Sequence, residues 1–273
     1  MTYIIAEIGI NHNGSENLAR TLIKQAYNSG ADAVKFQKRD IDSVYSQQEL
    51  DTPRESPWGT TNREQKEGLE FSIDQYKSLK GYCDDLGIDF IVSCWDEKSV
   101  DDVSVLDIKY HKVASALLTD GDFLRKLNDT GIPVILSTGM STQKEIDKAM
   151  LLLNNVEIVL ACTSTYPTAK EELNLKHIQT LQTIYPNTKV GFSNHYNGHD
   201  ACVAATAMGA ACIEFHITHD RTDYGSDQAA SIEDSNKLIR AIRNTEKMLG
   251  DGIKKVYETE IPILTKLRKK NSL

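Results

Sequence analysis

Apolar residues recur along the chain in short runs separated by amphipathic stretches. The runs predict strands over 3–8, 33–37, 89–93, 108–114, 134–137, 157–161, 189–192 and 211–215. Several are almost continuously apolar instead of alternating, as expected of strands covered on both faces. Helical spacing appears between them. Leu18, Leu22, Ile23 and Ala26 share one face, as do Leu175, Ile178, Leu181 and Ile184, and later Leu238, Ile239, Ile242 and Met248. Ser141 is placed to head a further helix, with Lys144 and Glu145 following. The stretches GADAVKF (30–36) and MGAACIEF (208–215) each carry a helix end at a glycine and a strand start shortly after, the form of an αβ loop.

Eight strands alternating with helices in a chain of this length predict a single-domain (β/α)8 barrel spanning 1–273, with a doubly wound sheet as the alternative. The barrel is favoured because polar residues of functional type sit at the C-terminal ends of many strands and not at one switch point. Two segments depart from the pattern. Residues 39–72 form a long polar insertion after the second strand and are expected to act as a lid or binding loop. The tail beyond Gly250, ending KLRKKNSL, reads as a solvated helix with a frayed end.

Composition narrows the field. The chain carries 31 Lys and Arg against 39 Asp and Glu, a net charge of −8, which argues against a nucleic-acid partner but leaves room for a basic pocket. Cys83, Cys94, Cys162, Cys202 and Cys212 form no CxxC pair and mostly lie in apolar runs, so free thiols in a reducing, cytoplasmic setting are expected. The N-terminus lacks the basic start of a signal peptide, and no apolar stretch is long enough to span a bilayer, so no membrane partner is expected.

The predicted strand ends bring chemistry to one face. Strand one offers Glu7. Strand two offers Lys35 and Gln37, with Lys38 and Arg39 beyond. The remaining strands offer Ser93; Lys112 and Ser115; Ser137, Thr138 and Gly139; Thr163, Ser164 and Tyr166; Ser193 and His195; and Glu214 and His216. Lysines inside apolar strands need a carboxylate partner or an anionic ligand. Ser137 to Gly139, ahead of a helix expected at Ser141, form a candidate anion seat. Together they suggest a small ligand carrying both phosphate and carboxylate; pairing of both lysines with Glu7, Glu214 or Asp227 for structure alone is the competing reading. His195 and His216 end neighbouring strands, close enough to share a metal ion, with Glu7 or Asp227 able to add oxygen. A mixed nitrogen and oxygen site suits Mn²⁺, Mg²⁺, Co²⁺ or Zn²⁺.

The stretches AEIGINHNG (6–14), GADAVKFQK (30–38), KVAS (112–115), PVILSTGMST (133–142), CTSTYPT (162–168), GFSNH (191–195) and 213–233 resemble the N-acetylneuraminate (sialic acid) synthase family over nearly the whole chain. The resemblance implies a barrel that condenses phosphoenolpyruvate with an open-chain sugar aldehyde, using a divalent metal, Mn²⁺ first with Mg²⁺ or Co²⁺ as alternatives. It implies phosphoenolpyruvate ligands at Lys35, Ser93, Lys112, Ser115, Ser137 and Ser193, and metal ligands at His195 and His216. It also implies sugar-handling or water-handling roles for Glu7, Gln37, Ser164, Tyr166 and Asp227. Glu7, His195, His216 and Asp227 are the catalytic candidates.

The chain departs from the family pattern at Leu117, where relatives often carry an acid, and at Ser164, where some carry Asn. Both changes are expected to alter sugar contacts. It ends where many relatives begin a small antifreeze-like domain, and RESPWG (54–59) with GSDQAAS (225–231) points to a barrel-only branch in which the insertion takes over part of the capping. A homodimer is the expected assembly. A related synthase acting on mannose or a sugar 6-phosphate, with Lys38 and Arg39 holding the second phosphate, and a non-catalytic phosphoenolpyruvate-binding barrel are the alternatives.

Overall fold

The computed structural model describes residues 1–225 and 227–269. Its strands are β1 (Tyr3–Gly9), β2 (Ala33–Lys38), β3 (Pro53–Ser56), β4 (Gly59–Thr61), β5 (Asp89–Cys94), β6 (His111–Val113), β7 (Val134–Ser137), β8 (Val156–Cys162), β9 (Lys189–Asn194) and β10 (Cys212–His216). Eight of them close into a parallel barrel in the order β1-β10-β9-β8-β7-β6-β5-β2, while β3 and β4 pair separately as an antiparallel hairpin. Closure on β1 distinguishes the (β/α)8 barrel from a doubly wound sheet. Glu7 of β1 stands in register with Lys35 on one side and His216 on the other. The strands follow the apolar runs closely, except that the expected 108–114 shortens to His111–Val113 and Ile108 packs into the helix layer instead.

The helices are α1 (Glu16–Ser29), α2 (Ile41–Val44), α3 (Gln47–Leu50), α4 (Asn62–Leu69), α5 (Ile73–Leu86), α6 (Glu97–Val103), α7 (Gly121–Asp129), α8 (Gln143–Leu152), α9 (His177–Ile184), α10 (Asp200–Ala207), α11 (Ser235–Leu249) and α12 (Ile261–Leu267). Local chemistry fixes their ends. The Ser15 hydroxyl accepts from the Leu18 amide at the start of α1, and Gly30 closes it at φ 86°, a conformation that disfavours any side chain.

The two-residue period of the strands separates two cores. Outward-facing Ile4, Ala6, Ile8, Val34, Phe36, Phe90 and Val92 pack against helix residues such as Leu22, Ile23 and Ala26. Inward-facing Ile5, Ala33, Ile91, Ile135, Ile158, Leu160 and Cys212 form a small apolar plug inside the barrel. Each such aliphatic side chain, once buried, contributes about 1.5–3 kcal/mol. Toward the C-terminal ends of the strands the same inward positions become Glu7, Lys35, Ser93, Lys112, Ser137, Ser193 and Glu214, all buried. The plug is the floor on which the site stands.

The insertion is not a bare loop. It folds into α2, α3, the β3–β4 hairpin and α4, with capping boxes at Ser46–Glu49 and Thr61–Glu64. Trp58, at the hairpin tip, lies over Gly68, where a Cβ would come 2.1 Å from the indole. A Cβ on Gly14 would meet the Gly68 carbonyl oxygen at 2.0 Å, and the Trp58 ring stands edge-on to Tyr224 with centroids 5.5 Å apart. The insertion thereby ties the loop after β1 to the loop after β10. At the other end of the chain, α12 is solvated along most of its length. Residues 270–273 of the expected frayed end, and Ser226 of the GSDQAAS stretch, lie outside the described residues. No helix among the described residues is long and apolar enough to cross a membrane.

Candidate active site

The C-terminal strand ends enclose a cavity of about 150 Å³. Its wall is built strand by strand: Glu7 from β1, Lys35 and Gln37 from β2, Ser93 from β5, Lys112 from β6 with Ser115 just beyond, and Ser137 from β7. Ser164 and Tyr166 follow β8, Ser193 and His195 lie at the end of β9, and Glu214 and His216 close the ring on β10. Of the site residues implied by the family resemblance, Asp227 is the one outside this cavity. It lines an adjoining chamber of about 260 Å³ that shares Gln37 and Tyr166 with the first, and its carboxylate comes 3.4 Å from His216 Nδ1.

The floor is a network of buried charge. Lys35 Nζ lies 2.7 Å from Glu7 Oε2 and 3.9 Å from Glu214, while Lys112 Nζ lies 3.4 Å from the other Glu214 oxygen. Glu7 also accepts from Gln37 Nε2 at 2.7 Å, and Glu214 accepts from the Ser193 hydroxyl at 2.8 Å. Burial works against the Lys35 ammonium, but Glu214 and Glu7 more than offset it and hold the lysine above its ordinary range. Burial pushes Lys112 down, with Glu214 opposing and Lys35 adding to the depression. Glu214, whose burial alone would favour the neutral acid, is held ionised by Lys112 and Lys35. Both lysines do pair with carboxylates, the arrangement that competed with an anion site; here the pairs line an open cavity.

The imidazoles face each other with ring centroids 5.3 Å apart. His195 Nδ1 lies 2.6 Å from the Thr163 carbonyl oxygen and so must donate to it, and Nε2 lies 2.8 Å from the Tyr166 hydroxyl. Burial opposes charge on His195, but the Cys162 sulfur 3.7 Å from its Nδ1 tips the balance upward. Burial dominates at His216 and lowers it below the ordinary histidine range, with Asp227 and Glu7 only partly compensating. Its buried Nδ1 makes no hydrogen bond. Among the described residues, no group of three or more His, Cys, Asp or Glu side chains is arranged to hold a metal ion. The donor chemistry, two imidazoles beside oxygen groups with a ring nitrogen left over, still fits a divalent ion completed by ligand oxygens.

A profile of the NeuB family matches residues 22–254. The chain is 38% identical over 274 residues to the N-acetylneuraminate-9-phosphate synthase of Mus musculus, covering 98% of this chain and 76% of that protein. The chain belongs to the NeuB family. It is also 34% identical to the N,N'-diacetyllegionaminic acid synthase of Legionella pneumophila, covering 99% of this chain and 80% of the relative. The crystal structure of N-acetylneuraminic acid synthetase from Leptospira borgpetersenii, in complex with citrate, superposes with a TM-score of 0.84 at 29% identity, covering 98% of this chain and 93% of that one. As a NeuB-family member the protein is a phosphoenolpyruvate-dependent enzyme that forms carbon–carbon bonds.

Three expectations for this NeuB-family site are corrected. The anion seat does not include a helix end: α8 starts at Gln143, Glu145 occupies its first turn, and the Gly139 amide donates to the Ser115 hydroxyl. Ser137, whose hydroxyl is buried without a hydrogen-bond partner, is what that segment contributes. Lys38 is not a cavity cation; strand alternation turns 35, 37 and 39 inward and leaves Lys38 donating to the Arg39 carbonyl. Leu117 does not touch the sugar side: it packs against the helix-layer core, whereas Ser164 does line the cavity.

Sequence reading missed Trp95 and Cys162 in the inner cavity, and Tyr45, Lys66 and Glu70 in the outer chamber. Trp95 lies just past its strand and carried no polar signal. The last three sit in the insertion, where no regular period tells which side faces inward.

Proposed function

We propose that this NeuB-family enzyme condenses phosphoenolpyruvate with an open-chain N-acetylmannosamine-type aldehyde, giving a nine-carbon 2-keto-3-deoxy sugar acid and inorganic phosphate. The observation that carries it is the convergence, in one cavity, of two buried lysines, serine hydroxyls from three strands and two facing imidazoles. The relatives, synthases of N-acetylneuraminate 9-phosphate and of diacetyllegionaminic acid, support the product class.

Lys35 and Lys112 hold the phosphate and carboxylate of phosphoenolpyruvate, with Ser93, Ser115, Ser137 and Ser193 supplying hydroxyls. C3 of the enol phosphate attacks the aldehyde carbon, forming the new C–C bond and leaving an alkoxide that takes up a proton. Water adds at C2, and C–O cleavage releases phosphate and leaves the ketone. An anion arriving at Lys35 draws the ammonium away from Glu7, freeing that carboxylate to take the proton from the attacking water, while Asp227 faces the sugar from the outer chamber. Gln37 keeps Glu7 in place through its 2.7 Å hydrogen bond, and the Tyr166 hydroxyl orients His195.

His195 and His216 would hold the divalent ion, Mn²⁺ in the first instance, which when bound polarises the aldehyde oxygen. Charge balance favours such an ion: Lys35 and Lys112 are already matched by Glu7 and Glu214, so a multiply charged acid needs further positive charge in the cavity. The insertion acts as the lid that limits water to the one molecule consumed.

The test is mass spectrometry and phosphate release with phosphoenolpyruvate, Mn²⁺ and a panel of mannose, N-acetylmannosamine and their 6-phosphates. The expected product has the mass of the aldehyde plus phosphoenolpyruvate plus water, less phosphoric acid. Binding of phosphoenolpyruvate without any product would favour a non-catalytic barrel.

A further inference from the structure

The two imidazoles proposed above to hold a divalent ion are not equally ready for it. A cation needs one ring lone pair from each. His216 keeps a buried Nδ1 that makes no hydrogen bond, with the Asp227 carboxylate 3.4 Å away, whereas both nitrogens of His195 are engaged. The Thr163 carbonyl oxygen, 2.6 Å from His195 Nδ1, can only accept, so the neutral ring carries its proton there. Its one lone pair is therefore at Nε2, and the Tyr166 hydroxyl, 2.8 Å away, donates to it. One ring thus has a carboxylate beside its nitrogen and the other a hydrogen-bond donor on it. The phenol also packs over His195 with centroids 4.0 Å apart and stands perpendicular to His216 at 5.5 Å.

The surroundings leave Tyr166 one way to move. The backbone that carries it is pinned: the Thr168 amide donates to the His195 carbonyl at 2.9 Å, and the Thr168 hydroxyl donates to the Thr165 carbonyl at 2.8 Å. The side chain itself is 44% exposed and lines both the inner cavity and the outer chamber of about 260 Å³. Rotation about its side-chain bonds carries the ring from one compartment to the other. We infer that Tyr166 is a positioning residue that latches His195: its hydroxyl occupies the lone pair that a divalent ion must use, so the phenol has to turn toward the outer chamber for the ion to bind. The inference rests on the ion placement proposed above and assigns the tyrosine a role toward it. The hydroxyl keeps the ring aimed until the ion takes over Nε2, and Thr163 holds that aim from Nδ1 afterwards.

The experiment is calorimetric titration of Mn²⁺ into the wild type and Tyr166→Phe, each also in a His216→Ala background. Tyr166→Phe keeps the ring and frees the lone pair, so it is expected to bind Mn²⁺ about two- to tenfold more tightly, the worth of one hydrogen bond. The gain should vanish with His216→Ala. A tyrosine that only braces His195, or that itself ligates the ion, gives the opposite sign. Unchanged or weaker binding in Tyr166→Phe therefore overturns the latch while leaving the ion on the imidazoles. A gain that survives His216→Ala overturns it too, because the ion then sits elsewhere. Binding by Tyr166→Phe but not by the wild type supports the latch. Binding by neither removes the ion from the site, and the latch with it.

Discussion

Lys35 and Glu7 form a buried ion pair 2.7 Å long across adjacent barrel strands, at the wall of the inner cavity. On the mechanism proposed above, the pair would couple substrate capture to base release, because one ammonium would serve both the carboxylate and the incoming anion. Glu7→Gln keeps the shape and a Gln37 contact but removes the charge. We predict a fall in kcat of about 10²–10⁴-fold, the usual range for a lost general base, with a much smaller change in phosphoenolpyruvate affinity. Steady-state phosphate release alongside calorimetric binding checks both, and an unchanged kcat would assign the base elsewhere.

His216→Ala should abolish turnover and weaken Mn²⁺ binding at least tenfold, since His195 alone would then supply nitrogen at that side of the cavity. Calorimetric titration of Mn²⁺, together with turnover after chelation, measures this. Full activity in metal-free buffer would remove the metal from the mechanism.

Acid stability should depend on two buried histidines remote from the imidazole pair. His12 stacks on Phe71 and accepts from the Gly14 amide; burial, with Arg39 adding, lowers it to about 3. His111 is lowered to about 4 by burial. A histidine whose folded value lies below its unfolded one contributes stability that is complete above about pH 6.5. That stability is lost as pH falls toward the folded value, here between about 6.5 and 3, at up to about 1.4 kcal/mol per unit for each group. Urea unfolding at stepped pH should show this slope, and His12→Asn, which keeps an acceptor for Gly14, should reduce it by about half above pH 4.

Trp58→Ala should loosen the insertion, because the indole fills the space over Gly68 and braces Tyr224. We predict a KM for the aldehyde raised about tenfold with phosphoenolpyruvate affinity nearly unchanged, since the lysines lie below the insertion on the barrel strands. Equal effects on both substrates, or none after deleting residues 50–66, would remove the lid from the account.

Apolar runs and glycine-ended helices were sufficient to place eight strands and to favour a closed barrel, because burial on both faces imposes one pattern on each strand. The C-terminal strand ends of a barrel share one face, so Lys35, Lys112, Ser193 and His216 were legible as residues of one mouth before any coordinates. The anion seat was misjudged at Ser141 because capping depends on which of several serines and threonines meets a glutamate three residues on. Here Thr142 and Glu145 do so.

What the sequence by itself determined is the barrel and the inward ring of polar strand ends, since strand periodicity and burial are local properties written along the chain. Tertiary structure alone decided that Glu7 pairs with Lys35, and that Leu117 packs against the helix layer. It alone decided that Lys66 reaches a chamber beside Tyr166. Those outcomes depend on distances between residues far apart in the chain and on an irregular insertion, where no repeating period constrains the direction of a side chain.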